Sequence, residues 1–178
     1  MGTALKLTQT LVLRDPDNAG HAARVTELAL RLAAAMDLSP DRVKAIKAGG
    51  PLHDIGKLEV DRAILDKPGA LDPEELEEIR THPELGARML KGVKSLRSSL
   101  NCVLHHHERW DGGGYPYGLG GDAIPVEARI LAVADAYDAM TSQRPYRDPR
   151  TREEALAEVE RCAGSQFDPH IARVFLTL

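Results

Sequence analysis

The chain has 178 residues, of which 43% are hydrophobic and only 4% aromatic, and its formal net charge is −4 at neutral pH. This composition is typical of a globular protein and excludes a membrane span, a disordered chain and an aromatic-rich surface for nucleic acids. The negative charge and the lack of a long Lys/Arg run also disfavour binding to DNA or RNA, because a polyanion would be repelled. Since this length suits one hydrophobic core, we expect residues 1–178 to form a single domain.

The cysteines and the N-terminal residues bear on location. Cys102 and Cys162 are too few for a disulfide framework, and the first ten residues lack the charged-then-apolar pattern of a signal peptide. Gly2 is not in an acylation motif either, because Lys6 stands where Ser or Thr is needed. We therefore expect a protein of the reducing cytoplasm with no membrane association.

Nearly every periodic segment has helical spacing, and no alternating stretch is long enough to predict a strand. The sequence therefore predicts an all-α fold, a compact bundle of several helices. Helices are predicted over Ala4 to Leu13, from near Gly20 through Met36, from Pro40 to His53, from Asp72, from His82 through Met89, from Leu96 to His107, over Val126 to Thr141, over Arg152 to Cys162 and over Pro169 to Leu176.

Breaks between these helices are marked by proline, glycine and capping residues. Asp15-Pro16-Asp17-Asn18 is expected to separate the first two helices, and Ser39 before Pro40 reads as an N-cap. Gly56 to Ala70 is predicted to be loop-rich. The glycines and prolines from Asp111 to Pro125 predict a long ordered loop, and such loops are usually functional.

Four histidines, one from each of four predicted helices, fall where the apolar stripe should face the core: His21, His53, His82 and His107. His106 lies at the edge of its stripe, His105 is expected to face water, and His170 has no assigned role. Buried imidazoles need partners, and a core has no structural need to gather so many. The pattern therefore predicts a metal centre inside a helical bundle.

Acidic residues accompany these histidines. Asp54 follows His53 directly, and a carboxylate has two oxygens that can bridge two cations. Asp135 and Asp138 lie in the otherwise apolar helix from Val126 to Thr141. For Asp135 we favour metal ligation over an ion pair with Arg24. For Asp138 we favour a hydrogen bond that supports the site or the helix packing over direct ligation.

The order of these residues resembles a known family. The motifs are HAARV from His21, HDIGK from His53, HPELGA from His82, HHERWDGGGYP from His106 and VADAYDAMT from Val133, followed by RPYR from Arg144 and QFDP from Gln166. Together they resemble the HD-GYP domain, a group of bacterial cyclic di-GMP phosphodiesterases within the HD superfamily. The resemblance extends from about Asp15 to the end of the chain.

The resemblance implies an all-helical bundle with two or three divalent metal ions, iron or manganese, that hydrolyses cyclic di-GMP to pGpG and often on to GMP in bacterial signalling. It assigns Asp54 as a bridging ligand, Lys57 to the scissile phosphate, Arg144 and Arg147 to phosphate oxygens, and Tyr115 to the neighbourhood of the substrate. The implied metal ligands are His21, His53, Asp54, His82, His106, His107 and Asp135.

The chemistry of these residues is coherent. Two cations roughly 3.5 to 4 Å apart can activate a water and neutralise charge on a phosphodiester, and Lys57 could act as a fixed cation beside them. Asp54 and Lys57 are thus the candidate catalytic residues. From spacing alone, Arg144 and Arg147 are equally well explained as surface arginines, and Tyr115 as a residue that packs the loop against the bundle.

Two features depart from the family pattern. Asp17 stands four residues before His21, where many members have tyrosine and some have a glutamate that ligates a third metal, so Asp17 is a candidate third-metal ligand. Gly49-Gly50-Pro51 precedes the His-Asp pair in place of helix formers. Proline removes a helical N–H and each glycine costs about 1 kcal/mol relative to alanine, so we expect a kink before His53.

Two other functions remain open at this stage. One is a signalling module that binds the nucleotide or a diguanylate-cyclase (GGDEF) partner through the Tyr115 loop without hydrolysis. The other is an HD phosphohydrolase that acts on another cyclic dinucleotide or nucleotide. A homodimer is also expected as an assembly state.

Overall fold

The computed structural model describes the backbone of residues 16–143 and 148–178, with side chains from Gly20 onward. Within these ranges the regular secondary structure is helical, which confirms the predicted all-α class. The α-helices are α1 (Pro16–Ala35), α2 (Pro40–Gly49), α3 (Arg62–Leu65), α4 (Pro73–Arg80), α5 (His82–Leu90), α6 (Leu100–His105), α7 (Val126–Thr141), α8 (Arg152–Arg161) and α9 (Pro169–Phe175). Short 3₁₀ helices cover Gly50–Leu52, Ile55–Glu59, Lys94–Ser99 and Gly121–Ala123.

The first described helix begins earlier than predicted. α1 includes Pro16, so the expected break between Asp15 and Asn18 is wrong in part. Proline is tolerated in the first turn of a helix, where its missing N–H has no intrahelical acceptor. The predicted helix from Ala4 to Leu13 lies outside the described residues.

α2 begins at Pro40, as predicted, but its start is stabilised differently. The Ser39 side chain makes no capping hydrogen bond. Instead the Ser39 carbonyl accepts the backbone N–H groups of Arg42 and Val43 at 3.0 and 3.1 Å. α4 also begins where predicted, and the structure adds a feature that was not predicted: Asp72 and Glu75 form a reciprocal capping box at its start.

The glycine pair before His53 serves close packing. α2 ends at Gly49, and the chain tightens into the 3₁₀ helix Gly50–Leu52 before the His53 turn. A Cβ on Gly49 would lie 2.6 Å from the Cys102 Cβ, and one on Gly50 would lie 2.5 Å from the Thr26 Oγ1. Where a kink was predicted, the chain therefore changes from an α-helix to a 3₁₀ helix. The two glycines let this segment approach α1 and α6.

Two further stretches differ from the sequence expectation. The stretch predicted as loop-rich, Gly56 to Ala70, contains most of a 3₁₀ helix and the single turn of α3, which the Asp61 side chain caps. The stripe predicted from Leu96 to His107 is divided between the 3₁₀ helix Lys94–Ser99 and α6. Such 3₁₀ turns share hydrophobic spacing with α-helices over a few residues, so periodicity alone does not separate them.

The core has two parts. The larger cluster surrounds α7, whose Ile130, Leu131 and Val133 are fully buried against α1, α8 and α9, and this confirms the predicted central helix. A smaller cluster joins the 3₁₀ segments to α5 and α6 through Leu52, Ile55, Leu90, Leu96 and Val103. Among the described residues, no helix combines the length and apolar character needed to cross a membrane.

Candidate metal centre

The predicted inward histidines come together in one cluster, mostly at the ends of helices. His21 lies within α1, whereas His53 lies in a turn between two 3₁₀ helices and His82 is the first residue of α5. His106 and His107 follow α6 directly. Residues at helix ends can be aimed at a common point from several directions, which a single helix stripe does not allow.

The donor atoms form two groups that share one carboxylate. Asp54, His82, His106 and His107 each offer a ligand atom within 4.8 Å of the others, and so do His21, His53 and Asp54. The Asp54 Oδ1 lies 3.3 Å from the His82 Nε2 and 3.8 Å from the His106 Nε2. Its Oδ2 lies 3.6 Å from the His53 Nε2. The position of Asp54 is that of a residue able to bridge two cations.

Backbone carbonyls orient three of the imidazoles. The Nδ1 atoms of His53, His82 and His106 lie 2.7, 2.7 and 3.0 Å from the carbonyl oxygens of the residues three positions earlier. A carbonyl oxygen can only accept a hydrogen bond, so each Nδ1 donates and each Nε2 keeps its lone pair. These lone pairs lie toward Asp54, so each imidazole has the tautomer that is able to bind a metal.

His53 supplies the strongest indication that a cation belongs here. Its side chain is 1% exposed, and its Nε2 has no hydrogen-bond partner among the described residues. A buried polar atom without a partner is costly, and it is rare in folded proteins. A divalent cation would satisfy it, so the residues present fit a metal centre.

On the other side of the cluster, α7 supports His21 with two carboxylates. Asp138 lies 2.8 Å from the His21 Nδ1 and accepts hydrogen bonds from the Arg24 guanidinium at 2.6 and 3.0 Å. Asp135 lies 3.1 Å from the His21 Nε2. Arg24 thus pairs with Asp138 and not with Asp135, and Asp138 makes the supporting hydrogen bond that was favoured for it.

The electrostatics of the centre favour charged carboxylates and neutral imidazoles on its buried side. Burial alone would raise the pKa of Asp54, but the Lys57 ammonium, 2.6 Å away, and the neighbouring histidines hold it well below its usual range. Burial lowers the pKa of His106 to about 4 and that of His107 well below 6.5. Neutral imidazole and ionised carboxylate are the forms that bind metals.

The histidine pair differs from its predicted placement. His106, expected at the edge of the stripe, is 2% exposed, whereas His107 is only partly buried. The reason is that α6 ends at His105, so the two residues follow the geometry of the turn and not that of a helix. Both still reach the donor group around Asp54.

The long glycine-rich loop folds over His107. The Tyr115 ring stacks on the His107 imidazole with 4.7 Å between centroids, and the Arg80 guanidinium lies 5.7 Å from the Tyr115 ring centre. Beside this stack is a cleft of about 390 Å³ whose lining includes Arg80, His107, Arg109, Tyr115, Asp135 and Gln166. Its size lies within the usual range for small-molecule sites.

Other sequence predictions have different outcomes. His105 does not face water: its side chain is 12% exposed and its Nδ1 lies 3.8 Å from the Glu108 carboxylate. Sequence analysis also missed Glu108, a buried acid on the loop side of the histidine pair. The available signal was its position, directly after the histidine pair and before a glycine-rich loop. The side chains of Asp17, Arg144 and Arg147 lie outside those that the structure describes.

The pKa of His21 leads to a prediction for the metal-free protein. Burial alone would lower this pKa, but hydrogen bonds to Asp135 and Asp138 outweigh it and raise the value from 6.5 to about 9. The folded state therefore retains a proton that the unfolded chain releases near pH 6.5. This contribution to stability is complete below pH 6.5 and is lost as the pH rises to 9, so the free energy of unfolding should fall across this window by up to about 1.4 kcal/mol per pH unit.

Urea unfolding of chelator-treated protein between about pH 6 and pH 9.5 measures this slope. The matched variant His21→Gln lacks the titrating group and should show a flatter profile. An equal slope in the two proteins would contradict the assignment of the proton to His21.

The helical bundle and its His/Asp cluster define the class of protein. The chain belongs to the HD domain family, whose model matches residues 6–171. Membership implies binding of divalent metal, and the cluster around Asp54 fits that chemistry. The fold agrees with solved structures such as Bd1817, described as an HDG"Y"P protein from Bdellovibrio bacteriovorus. That match has a TM-score of 0.72 at 21% identity and covers 90% of this chain and 51% of that one.

Relatives found by sequence show which kinds of HD domain protein this chain is similar to. A cyclic di-GMP phosphodiesterase of Thermotoga maritima is 44% identical over 167 residues, which is 93% of this chain and 45% of that protein. The cyclic di-GMP phosphodiesterase response regulator RpfG of Xanthomonas campestris is 38% identical, over 98% of this chain and 47% of that protein. A 3′3′-cGAMP-specific phosphodiesterase 2 of Vibrio cholerae is 36% identical, over 96% of this chain and 33% of that protein. The resemblance found in the motifs is confirmed, and the chain spans less than half the length of these relatives.

Proposed function

We propose that this chain is a metal-dependent phosphodiesterase that hydrolyses cyclic di-GMP, to pGpG, GMP or both, in bacterial second-messenger signalling. The observation that carries the proposal is the position of Asp54, which belongs to both donor groups. One of these groups reaches a cleft with cationic side chains through His106 and His107. Relatives named as cyclic di-GMP phosphodiesterases support the choice of substrate.

The proposed metal ligands are His21, His53, Asp54, His82, His106, His107 and Asp135. Imidazole and carboxylate donors without thiolates suit iron or manganese, which are the proposed ions. Asp17, on the first turn of α1, is the candidate ligand for a third ion. When bound, such ions lower the pKa of a coordinated water and offset the negative charge of the phosphodiester.

The chain's own residues have separate tasks in this proposal. Asp54 holds the two donor groups together, and Lys57, whose side chain is 30% exposed, presents a fixed cation at the same carboxylate. Tyr115 and Arg80 form one wall of the cleft, where the substrate would be oriented. Arg144 and Arg147 are proposed to hold phosphate oxygens of the nucleotide.

The proposal also covers the domain organisation, location, assembly and partner of the chain. Residues 1–178 form one domain, which acts in the cytoplasm, assembles as a homodimer and receives a diguanylate-cyclase (GGDEF) partner at the Tyr115 loop. Both cysteines are free and buried, which suits a reducing compartment.

A second candidate substrate is another cyclic dinucleotide. The relative named as 3′3′-cGAMP-specific, at 36% identity, supports this alternative, because that ligand has an adenine in place of one of the two guanines of cyclic di-GMP. A non-hydrolysing signalling module is less well supported, since six of the seven implied ligands fall in the two donor groups and the seventh, Asp135, lies 3.1 Å from the His21 Nε2.

A substrate panel tests the proposal. The protein, loaded with iron or manganese, is incubated with cyclic di-GMP, 3′3′-cGAMP and cyclic di-AMP, and products are separated by chromatography with and without chelator. We expect metal-dependent formation of pGpG or GMP, fastest from cyclic di-GMP. Preferred turnover of cGAMP would favour the second candidate, and tight binding without product under either metal would overturn the enzymatic proposal.

A further inference from the structure

Glu108 is a buried carboxylate that faces the loop and not the metal cluster. It is 3% exposed and does not belong to either donor group. Its Oε1 accepts the backbone N–H of Tyr117 at 2.9 Å, and its Oε2 accepts that of Leu119 at 3.0 Å. One side chain thus satisfies two amides of the glycine-rich loop.

These hydrogen bonds have a charged acceptor in a buried setting. A carboxylate that accepts two backbone N–H groups in a buried site makes charge-assisted bonds, which are shorter and stronger than neutral ones. Among the described residues, the nearest ion-pair partner of Glu108 is His105, whose Nδ1 lies 3.8 Å away, beyond hydrogen-bond distance. The Glu108 carboxylate therefore interacts chiefly with the backbone N–H groups of the loop.

The same loop segment positions Tyr115. The Tyr115 N–H donates to the His107 carbonyl at 3.2 Å, and its ring stacks on the His107 imidazole. A Cβ on Gly114 would lie 2.4 Å from the Arg109 nitrogen and 2.6 Å from the Glu108 Cα, so the loop lies directly against the residues that follow the histidine pair. Fixing the amides of Tyr117 and Leu119 therefore restricts the chain on the far side of Tyr115.

We infer that Glu108 is a positioning residue, which ties the loop at Tyr117 and Leu119 and so holds the Tyr115 ring against His107 at the mouth of the cleft. Glu108 lines the cleft but supplies no ligand atom to either donor group, so we assign its effect to the position of Tyr115. The effect on turnover rests on the proposed function, whereas the tie itself does not.

The test compares Glu108→Gln with Tyr117→Phe. The glutamine keeps the shape but can accept only through one of its two terminal atoms, so one loop amide loses its acceptor. The phenylalanine removes a different loop contact, the hydrogen bond from the Tyr117 hydroxyl to Glu84 at 3.0 Å, and leaves both amide bonds intact. Glu108→Asp, which keeps the charge but is one methylene shorter, replaces the glutamine variant if that variant does not fold.

Amide hydrogen exchange in metal-free protein is the first measurement. We expect amide exchange at Tyr115, Tyr117 and Leu119 to be about 10-fold faster in Glu108→Gln, because a loop amide loses its acceptor. In Tyr117→Phe, exchange at Tyr115 and Leu119 should be unchanged. Unchanged protection of Tyr115 in Glu108→Gln would overturn the inference, whether or not the protein hydrolyses any nucleotide.

Kinetics then separate positioning from general structural support. With cyclic di-GMP we expect KM to rise about 10-fold in Glu108→Gln with kcat within about 3-fold, because the variant loosens a wall of the cleft and leaves the donor groups in place. The double variant Glu108→Gln with Tyr115→Ala should resemble Tyr115→Ala alone. Additive losses in the double variant would contradict action through Tyr115. If wild type itself gives no product, the proposed function fails and the exchange result still decides the loop tie.

Discussion

Replacing Asp54 with asparagine is expected to reduce turnover of cyclic di-GMP by at least about 1,000-fold, equivalent to several kcal/mol of transition-state stabilisation. The amide keeps the shape of the side chain but removes the charge that both donor groups share. In the wild-type protein the Lys57 Nζ lies 2.6 Å from the Asp54 Oδ2. The substitution therefore also leaves the Lys57 ammonium beside a neutral group. The loss should therefore affect metal content as well as catalysis.

The measurement is steady-state product formation together with metal content per chain by mass spectrometry. Asp66→Asn is the matched control, because Asp66 is an exposed carboxylate paired with Arg62 on α3. We expect the control to keep wild-type metal content and activity. If Asp54→Asn retains turnover within about tenfold of wild type with full metal content, the bridging role is wrong.

Replacing Gly56 with alanine is expected to lower the free energy of unfolding strongly. A Cβ at this position would lie 1.8 Å from the His82 carbonyl oxygen and 2.6 Å from the Gly86 nitrogen. Both are backbone atoms of α5, so no side chain can move aside to relieve the overlap. We expect the free energy of unfolding to fall by about 3 kcal/mol or more.

The same substitution should weaken metal binding, because the overlap would push the His53-Asp54 turn away from His82. Urea unfolding and metal titration measure the two effects. Gly92→Ala is the control, since no heavy atom of the described residues, apart from its neighbours in the chain, lies within 4 Å of a Cβ at that position. Its stability should stay within about 0.5 kcal/mol of wild type. Equal stabilities of the two variants would show that close contact between the 3₁₀ helix Ile55–Glu59 and α5 does not contribute to the stability of the fold.

The sequence predicted the parts of the fold that depend on local chemistry. Pro40 and the Asp72 capping box start helices where expected, and the apolar run of α7 identifies a central helix to the residue. The histidines and Asp54 were predicted as a cluster because inward polar groups need partners. Asp138 was also given a supporting role, since a buried acid on α7 has to meet a cation or a donor.

The errors arise where long-range packing decides local structure. The switch from α2 to a 3₁₀ helix depends on Cys102 and Thr26, which contact the two glycines from other elements. His105 was assigned to solvent from an uninterrupted helical wheel, but α6 is short and its end turns the ring toward Tyr117. Glu108 was missed because its partners are backbone N–H groups nine and eleven residues away, which leave no trace in periodicity.

The pairing of His21 with Asp138 has a consequence for how the protein is made. These residues lie 117 positions apart, and the hydrogen bond between them requires α7 to dock against α1. During synthesis, a nascent chain presents His53, His82 and His106 well before the carboxylates of α7 leave the ribosome. Because a contact between residues so far apart in sequence has to close a long loop, we expect the proposed donor set to assemble late in folding. Capture of metal by the completed centre would then lock the docked helix, so that cofactor loading doubles as the final folding step.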